Sequence, residues 1–355
     1  MPKLNIGGRW IGDSEPVYFI ADIAANHDGQ LDRALRLINL AAAAGANAAK
    51  FQHFQAAKIV SKTGFESLGL QMSHQSKWKN PVYDVYQSAS VPWEWTAKLK
   101  KACDDEKIHF FSAPYDRESV DMLDPYIPVY KIGSGDITWI EELEYIARKG
   151  KPILLATGAS DLSDVQRAVK AILPINPNLL LMQCNTNYTG KSENFRYIQL
   201  NVLRTYARLY PDLVLGLSDH SPGHASVLGA VALGARAIEK HFTDDCLREG
   251  PDHGFALDPG YWREMVDRTR ELEFALGSGE KIVEANEIET VIIQRRCLRA
   301  ARDLSTGTVL ARSDIEVLRP APRDGISPYE LTRIIGRLVQ HEIKKGDYLK
   351  WTDLA

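Results

Sequence analysis

The sequence lacks the signatures of several large protein classes. None of its predicted strands is followed by a GxGxxG turn, which argues against a doubly wound sheet that binds a dinucleotide. Its four cysteines (Cys103, Cys184, Cys246 and Cys297) are widely scattered and form no CxxC pair. Such spacing favours reduced thiols over disulfides or a zinc site.

Charge and hydropathy exclude further classes. A net charge of −3 gives no electrostatic basis for binding nucleic acid or an acidic membrane. No apolar run approaches the roughly 20 residues that cross a bilayer. The first residues, MPKLNIGGRWIGDSEP, have no apolar signal-peptide core, so a cytoplasmic location is expected. With 355 residues, 45% hydrophobic and 25% charged, the composition fits a globular protein with room for a barrel and an appended domain.

Eight apolar runs alternate with segments of helical spacing. The predicted strands are Val17–Ala24, Ala46–Gln52, His109–Pro114, Pro128–Ser134, Pro152–Thr157, Leu179–Cys184, Leu213–His220 and Ala235–His241. Eight strands, each followed by a helix, are typical of the α/β class with a (β/α)8 TIM barrel, whose site lies at the carboxyl ends of the strands. From about residue 293 short β segments and turns replace this alternation. We therefore predict a barrel domain over 1–280, a linker over 281–292 and a small β-rich domain over 293–355.

One long stretch interrupts the alternation. Residues 61–91 look irregular and contain Met72, Trp78, Tyr83 and Tyr86. A loop of this length in a compact domain is usually functional, which predicts a lid or a substrate wall. A surface excursion with its own small cluster is the alternative.

The last two predicted strands each end in a histidine. Because side chains alternate along a strand, Ser218 and His220 share one face of the first of these strands. Glu239 and His241 share one face of the second, and Lys240 lies on its opposite face. Parallel neighbours lie about 4.8 Å apart, so the two imidazoles can share a ligand. We predict a divalent metal site with His220 and His241 as its ligands. Two nitrogen ligands with oxygens completing the set favour a six-coordinate ion such as Mn²⁺ or Mg²⁺ over zinc. Two ordinary polar residues at the barrel rim are the alternative.

Two lysines are predicted to point into the barrel. Lys50 lies on the second strand, where a cation needs an anionic partner. Lys131 precedes the Gly-Ser-Gly turn that contains Ser134. An ammonium, a hydroxyl and exposed backbone N–H groups together make a phosphate cradle. A structural ion pair is the alternative for Lys131. Two inward lysines predict a phosphorylated or carboxylated ligand.

The motifs FIADIAANHDG, AAKFQ, YKIGSGD, LLATG, GLSDH, IEKHFT and REGPDH, in this order, resemble the sialic acid synthase family. The sequence from about Arg296 resembles that family's C-terminal antifreeze-like (SAF) domain. The resemblance implies condensation of phosphoenolpyruvate with an open-chain N-acetylmannosamine-type sugar, giving a sialic acid or a related nonulosonic acid plus phosphate. It also implies a divalent metal, Mn²⁺ first with Mg²⁺ or Co²⁺ as alternatives, and a homodimer with exchanged C-terminal domains.

The resemblance assigns roles to individual residues. Catalysis would fall to Asp22, Lys131, His220 and His241. Binding of substrate would fall to Lys50, Gln52, Lys131, Ser134, Asp136, Thr186, Tyr188, Ser218, Glu239, Asp252 and Arg319. Within this set Lys50, Lys131, Ser134 and Ser218 match contacts to phosphoenolpyruvate. Arg319 matches an arginine that reaches the site of the second subunit and holds the sugar's N-acyl group.

This chain departs from the family pattern at three positions. Asp22 stands where the family usually has a catalytic glutamate, Asp136 follows the turn where glutamate is common, and Thr186 replaces a binding asparagine. We expect the reaction class to be kept and the sugar or the water geometry to differ. Two alternatives are a related phosphoenolpyruvate-dependent ulosonic acid synthase acting on a phosphorylated sugar, and a non-catalytic sugar-binding barrel.

Overall fold

The computed structural model describes residues 2–68, 75 and 78–355, and the chain divides into two compact units, Met1–Gly277 and Ser278–Ala355. The strands of the first unit are β1 (Lys3–Ile6), β2 (Arg9–Gly12), β3 (Tyr18–Asp22), β4 (Ala48–His53), β5 (His109–Pro114), β6 (Tyr130–Ile132), β7 (Ile153–Ala156), β8 (Leu179–Cys184), β9 (Val214–Asp219) and β10 (Ala235–His241). Its helices are α1 (Leu31–Ala43), α2 (Ala56–Ile59), α3 (Lys62–Ser67), α4 (Val82–Ala89), α5 (Thr96–Asp105), α6 (Arg117–Leu123), α7 (Ile140–Ala147), α8 (Leu162–Ile172), α9 (Val202–Leu209), α10 (Ala225–Ala232) and α11 (Pro259–Leu276).

Eight parallel strands form a closed barrel. Their order is β5-β4-β3-β10-β9-β8-β7-β6, and β5 and β6 at its two ends lie against each other. Both faces of the sheet are covered, so strands such as β8 (LLLMQC) are buried along their whole length. The predicted barrel is confirmed: seven of the eight predicted strands contain the observed strand, and β4 extends one residue beyond its predicted end, to His53.

The strand register sets several predicted site residues level with one another. On β10, β3 and β4, His241 lies opposite Asp22, and Asp22 lies opposite Lys50. On β10 and β9, Glu239 lies opposite Ser218. Residues level across parallel neighbours lie on the same face of a sheet. These side chains therefore meet at one mouth of the barrel.

A β-hairpin precedes the barrel where only a polar lead was expected. Strands β1 and β2 pair antiparallel through the turn at Gly7 and Gly8. Both glycines have positive φ, 55° and 91°, as hairpin turns of two residues require. Leu4, Ile6 and Ile11 are buried in the barrel's core cluster, so the hairpin belongs to the barrel domain.

Residues 61–91 are more regular than the sequence suggested. Helices α3 and α4 lie within this stretch, and α4 carries Tyr83 and Tyr86. Both are short: α4 has apolar residues at helical spacing (Val82, Val85, Tyr86 and Ala89) but over only two turns, and α3 shows no such pattern. Trp78 and Tyr86 line a cavity described below, as a substrate wall would. Met72 lies outside the described residues.

The second unit has its own small core. It contains α12 (Ile288–Gln294), β11 (Cys297–Ala300), β12 (Ile315–Leu318) and α13 (Leu331–Ile334), with β11 and β12 antiparallel. Leu298, Leu304 and Ile334 are among the residues of its core cluster. The stretch predicted as a linker, 281–292, includes most of helix α12. Turns at Gly307 and Gly346 have positive φ, but the segments after them form single bridges rather than strands.

Candidate active site

A polar cavity of about 220 Å³ opens at the carboxyl ends of the barrel strands, and we call it the inner cavity. Eleven of the predicted site residues line it: Asp22, Lys50, Gln52, Lys131, Ser134, Tyr188, Ser218, His220, Glu239, His241 and Asp252. A larger, outer cavity of about 710 Å³ adjoins it and shares Ala25, Trp78, Val85, Ala89, Tyr188 and Pro251. A small polar chamber beneath a wider mouth suits two ligands bound one above the other.

Two buried lysines converge on one carboxylate at the floor of the inner cavity. Glu239 Oε1 lies 3.1 Å from Lys131 Nζ and 3.5 Å from Lys50 Nζ, and it accepts a hydrogen bond of 3.1 Å from Ser218 Oγ. Lys50 Nζ also lies 2.7 Å from Asp22 Oδ2. The predicted anionic partners of Lys50 are therefore Asp22 and Glu239. The ion pair considered as an alternative for Lys131 is also present, with Glu239.

Burial and neighbouring charge set the protonation of this cluster. Burial disfavours the charged form of Glu239, but Lys131 and Lys50 outweigh it and lower the pKa of Glu239 to about 2. Burial likewise opposes the charge on Lys50, yet Asp22 and Glu239 raise its pKa. Burial raises the pKa of Asp22 above its ordinary value, against the pull of Lys50. Asp22 is thus the carboxyl group of the cluster whose environment favours taking up a proton.

The two histidines face each other with their rings neutral. The ring centroids of His220 and His241 lie 5.3 Å apart. Burial is the main cause that lowers the pKa of His220 to about 3, and the neighbouring His241 is the second. Burial also lowers the pKa of His241 to about 3, with the charge of Lys50 as the second cause. His220 Nδ1 lies 2.9 Å from the carbonyl oxygen of Asn185, so the proton belongs on Nδ1 and the Nε2 lone pair stays available.

The donor set beside the histidines fits a divalent cation. His241 Nδ1 is buried, has no hydrogen-bond partner, and lies 4.0 Å from Asp252 Oδ2. Neutral imidazoles with a nearby carboxylate are donors that such ions accept. Across residues 2–68, 75 and 78–355, no three His, Cys, Asp or Glu side chains already surround a common point. The residues therefore supply part of a coordination sphere, and a bound ion would take the remainder from water or a ligand.

A turn after β6 forms the far side of the inner cavity. Residues Ser134–Asp136 make one 3-10 turn, and Ser134 Oγ accepts a hydrogen bond of 2.9 Å from the backbone N–H of Gly158. A Cβ on Gly158 would lie 2.5 Å from Thr186 Cγ2 and 2.9 Å from Ser134 Oγ. Glycine at position 158 therefore allows the loop that carries Thr186 and the turn that carries Ser134 to approach closely behind the cavity wall.

Three predicted residues do not line the inner cavity. Asp136 lines a separate small cavity with Tyr115 and Glu142, where burial raises its pKa to about 6. Thr186 packs against Gly158, one layer behind the wall. Arg319 is exposed on the second unit. The substrate-binding role expected for these three residues stays a prediction.

Sequence reasoning identified Trp78, Tyr86 and Tyr188 but missed three other aromatic side chains at the wall. Phe255 lies edge-on to His241 and His220, with centroids 4.8 Å and 6.0 Å away. Phe54 and Tyr115 also line the inner cavity or contact its lining. Tyr115 directly follows β5, and its position at a strand end was the available signal. Phe54, one residue after β4, carries the same signal.

A charged network supports the loop that carries Asp252. His253 is fully buried, with Nδ1 2.7 Å from Thr243 Oγ1 and Nε2 2.9 Å from Asp28 Oδ1. Arg248 donates to Asp28 Oδ2 at 2.7 Å. Two loops, one after β3 and one after β10, are therefore tied together beside the outer cavity. This connection holds Asp252 near His241.

Comparison with known proteins places these features in one family. A model of the NeuB family matches residues 37–281, and a model of the SAF domain matches residues 295–355. The chain is 33% identical to the N,N'-diacetyllegionaminic acid synthase of Legionella pneumophila, over 98% of this chain and 97% of that protein. It is 30% identical to the human N-acetylneuraminate-9-phosphate synthase, over 96% of this chain and 93% of that protein.

A solved structure gives the same result. The N-acetylneuraminic acid (sialic acid) synthetase of Leptospira borgpetersenii, crystallised with citrate, superposes with a TM-score of 0.71 at 30% identity. The match covers 81% of this chain and 95% of that one. Within the described residues, no helix combines the length and apolar character that a membrane span requires.

Proposed function

The chain belongs to the NeuB family and carries a SAF domain, and from that premise we propose that it condenses phosphoenolpyruvate with an open-chain N-acetylmannosamine-type sugar to give a nonulosonic acid and phosphate. One observation carries the proposal. Two buried ammonium groups and two neutral imidazoles open on one cavity at the carboxyl ends of the barrel strands. Ammonium groups suit the phosphate and carboxylate of phosphoenolpyruvate, and neutral imidazoles suit a divalent metal.

The two cavities match the two substrates. Phosphoenolpyruvate is small and highly charged, and it would lie in the inner cavity between Lys50, Lys131 and the Ser134 turn. The sugar would enter through the outer cavity, whose wall includes Trp78 and Tyr188. With phosphoenolpyruvate in the inner cavity and the sugar in the outer one, the methylene carbon of phosphoenolpyruvate would face the aldehyde carbon of the sugar. Positioning of the two carbons is then the main contribution of the protein.

His220 and His241 would hold the divalent metal, with Mn²⁺ as our first choice. When bound, such an ion supplies Lewis-acid polarisation of the aldehyde oxygen. The ring of His220 is already oriented for this task by its contact with the Asn185 carbonyl.

The remaining chemistry belongs to the cluster on β3, β4, β6 and β10. The carbon–carbon bond forms between the methylene of phosphoenolpyruvate and the aldehyde carbon. The aldehyde C=O bond opens and its oxygen takes up a proton to become a hydroxyl, while positive charge develops at the carbon that bears the phosphate. Water adds there, and the C–O bond to phosphate then breaks. Asp22 would orient that water and take its proton, which its raised pKa favours. Lys50 and Lys131 would stabilise the phosphate oxygens throughout.

The proposal is tested by phosphate release from phosphoenolpyruvate. The purified protein is incubated with phosphoenolpyruvate, Mn²⁺ and one of three sugars: N-acetylmannosamine, its 6-phosphate, or a 2,4-diacetamido hexose. We expect sugar-dependent release with at least one of them, and loss of release after chelation. Binding of a sugar without phosphate release under any of these conditions would favour the non-catalytic alternative.

We extend the proposal to Arg319, as the residue that completes the site of a second copy. Arg319 is exposed, and so are the apolar Ile288 (52%) and Ile293 (57%) of α12, which a second chain could cover. Inactive Arg319→Ala and His241→Ala proteins are mixed and allowed to exchange subunits. In a mixed dimer one of the two sites is intact. About half of the dimers are mixed after random exchange, so about one quarter of the wild-type activity is expected. Absence of recovery in mixed dimers verified by mass would contradict a role in the second copy.

A further inference from the structure

Tyr115 places a hydroxyl group in the wall of the inner cavity. It directly follows β5, and its ring lies edge-on to Phe54 with centroids 5.7 Å apart. Its neighbours in the cavity lining include Lys131, Gly133 and Ser134. The aromatic ring is therefore fixed by packing, while its outer edge faces the turn after β6.

The hydroxyl oxygen lies close to the backbone of that turn. A Cβ built on Gly133 would be 3.5 Å from Tyr115 Oη, so a larger residue there would crowd the hydroxyl. Ser134 Oγ, one residue further along, is held by the backbone N–H of Gly158 at 2.9 Å. The ammonium of Lys131 comes from the strand just before the turn. A hydroxyl donor thus joins an ammonium and a second hydroxyl around one part of the cavity.

The Tyr115 hydroxyl has no partner within the protein as far as the described ranges 2–68, 75 and 78–355 extend. A tyrosine enclosed by protein usually finds a hydrogen-bond partner, since the packing role alone is served equally well by phenylalanine. By contrast, Tyr130 on β6 donates to Asp124 Oδ1 at 2.8 Å and is fully buried. Tyr115 lines both the inner cavity and the small cavity of Asp136, but its hydroxyl lies beside Gly133, which lines only the inner cavity of the two.

Protonation keeps this hydroxyl a donor. Burial, followed by the charge of Asp136, raises the pKa of Tyr115 well above its ordinary value. The group is therefore neutral throughout the working range of the protein. A neutral phenol beside an anion donates its proton into a hydrogen bond without adding charge.

We propose that Tyr115 donates a hydrogen bond to an anionic oxygen of phosphoenolpyruvate bound between Lys131 and Ser134, and so is a further substrate-binding residue. The inference rests on the proposed function for the identity of the anion. A hydrogen bond to a charged group contributes more than one between neutral groups, so its loss should be visible in substrate binding.

The test is Tyr115→Phe, which removes the hydroxyl and keeps the ring against Phe54. We expect the KM for phosphoenolpyruvate to rise roughly 10- to 100-fold, with the KM for the sugar changed by less than about twofold. The Tm without ligand should stay near that of the wild type, since no internal hydrogen bond is lost. The rise in Tm caused by phosphoenolpyruvate should shrink.

Tyr130→Phe is the matched control. It removes a tyrosine hydroxyl from the residue next to Lys131, but that hydroxyl bonds Asp124 and the Val120 carbonyl away from the cavity. We expect a lower Tm and an unchanged KM for phosphoenolpyruvate. This pattern separates a contact with the substrate from a general effect of hydroxyl removal.

The outcomes separate this inference from the proposed function. An active enzyme whose KM for phosphoenolpyruvate is the same with Tyr115→Phe would overturn the inference and leave the function standing. If the wild type releases no phosphate with any sugar, the function fails, and calorimetric binding of phosphoenolpyruvate decides the inference. Weaker binding by Tyr115→Phe then supports it, whereas equal binding, or none by the wild type, overturns it.

Discussion

Two buried lysine–carboxylate clusters lie on opposite faces of the barrel sheet, and they differ in how fully the protein satisfies their polar groups. In the outward cluster, Lys240 Nζ lies 2.6 Å from Asp219 Oδ2 and donates to the Ser221 carbonyl at 2.6 Å. Ser226 Oγ donates to the same carboxylate at 2.5 Å. The side-chain polar groups of this cluster are satisfied by the protein, and none of its residues lines the inner or the outer cavity.

The inward cluster is left incomplete. Glu239 Oε2 is buried without a hydrogen-bond partner, as is His241 Nδ1. Burial opposes ionisation in both clusters, but the pKa of Asp219 is lowered by Lys240 and its hydroxyl neighbours, whereas that of Asp22 is raised. A buried polar group without a partner is costly, and such groups concentrate where a ligand completes the site. The difference distinguishes charges that stabilise the fold from charges that the proposed substrate would complete.

The largest expected effect comes from the inward side, at His241. Replacing His241 by alanine removes one of two nitrogen donors, so metal-dependent turnover should fall below detection. Turnover is measured as phosphate release with and without Mn²⁺ after chelation. Full activity of the chelated wild type would contradict the metal assignment, and His224→Ala, a half-exposed histidine outside the cavity lining, serves as the control.

Lys131→Met should separate binding from folding. We expect kcat/KM for phosphoenolpyruvate to fall roughly 10²- to 10³-fold, because a positioned cation is lost from the site of developing negative charge. The Tm should fall less than in Lys240→Met, since Glu239 keeps Lys50 at 3.5 Å and the hydroxyl of Ser218 as partners. Unchanged kinetics, measured by varying phosphoenolpyruvate at saturating sugar, would show that Lys131 is only a structural partner.

Lys240→Met should give the opposite pattern. Breaking a buried ion pair leaves Asp219 uncompensated, at a cost of about 3–5 kcal/mol in the free energy of unfolding. Activity per folded molecule should stay close to the wild-type value. The measurement is urea unfolding, with kcat determined below the transition. A loss of activity that exceeds the unfolded fraction would mean that the two clusters are coupled.

The same variant carries a pH signature. In the wild type the folded-state pKa of Asp219 lies below its ordinary value of 3.8, so its stabilisation is present above that value and is lost as the pH falls through the folded pKa. Without Lys240, burial should raise the pKa of Asp219. Protonation then relieves the uncompensated charge, and the stability deficit should narrow between pH 7 and about pH 4. A constant deficit across this range would contradict the assignment.

The smallest effect is expected for Asp22→Glu. Glutamate keeps the charge and adds one methylene of reach, so we expect a change in kcat of less than about tenfold. Asp22→Asn removes the base and should lower kcat roughly 10²- to 10⁴-fold. Comparing the two by phosphate release distinguishes the charge of the carboxylate from its position. Equal activity of Asp22→Asn and the wild type would exclude a role in activating water.

Sequence reasoning was strongest where strand alternation governs the outcome. Parity alone predicted that Glu239 faces inward and Lys240 away, and the two clusters confirm it. The eight barrel strands were also predictable, since each is a continuous apolar run. The convergence of Lys50 and Lys131 on a shared carboxylate followed less directly, because it depends on which strands become neighbours when the barrel closes.

The failures have physical reasons. The hairpin β1–β2 was missed because each strand has four residues, although Gly7-Gly8 was a usable turn signal. The family resemblance assigned Asp136 and Thr186 to the site, but both follow a strand in a turn or loop, where strand alternation does not fix the direction of a side chain. Tyr115 was overlooked because an aromatic residue directly after a strand is usually assigned to the packed core. The sequence alone does not show where its hydroxyl group lies.

Glu239 has a consequence for the resting protein. Two ammonium groups inside a barrel would repel each other, but Glu239 contacts both and, together with Asp22 beside Lys50, balances their two charges before any substrate arrives. Glu239 pairs with the lysines whenever no substrate anion is bound. In the proposed reaction, each release of phosphate would return the lysines to Glu239, so the empty barrel keeps its shape between turnovers.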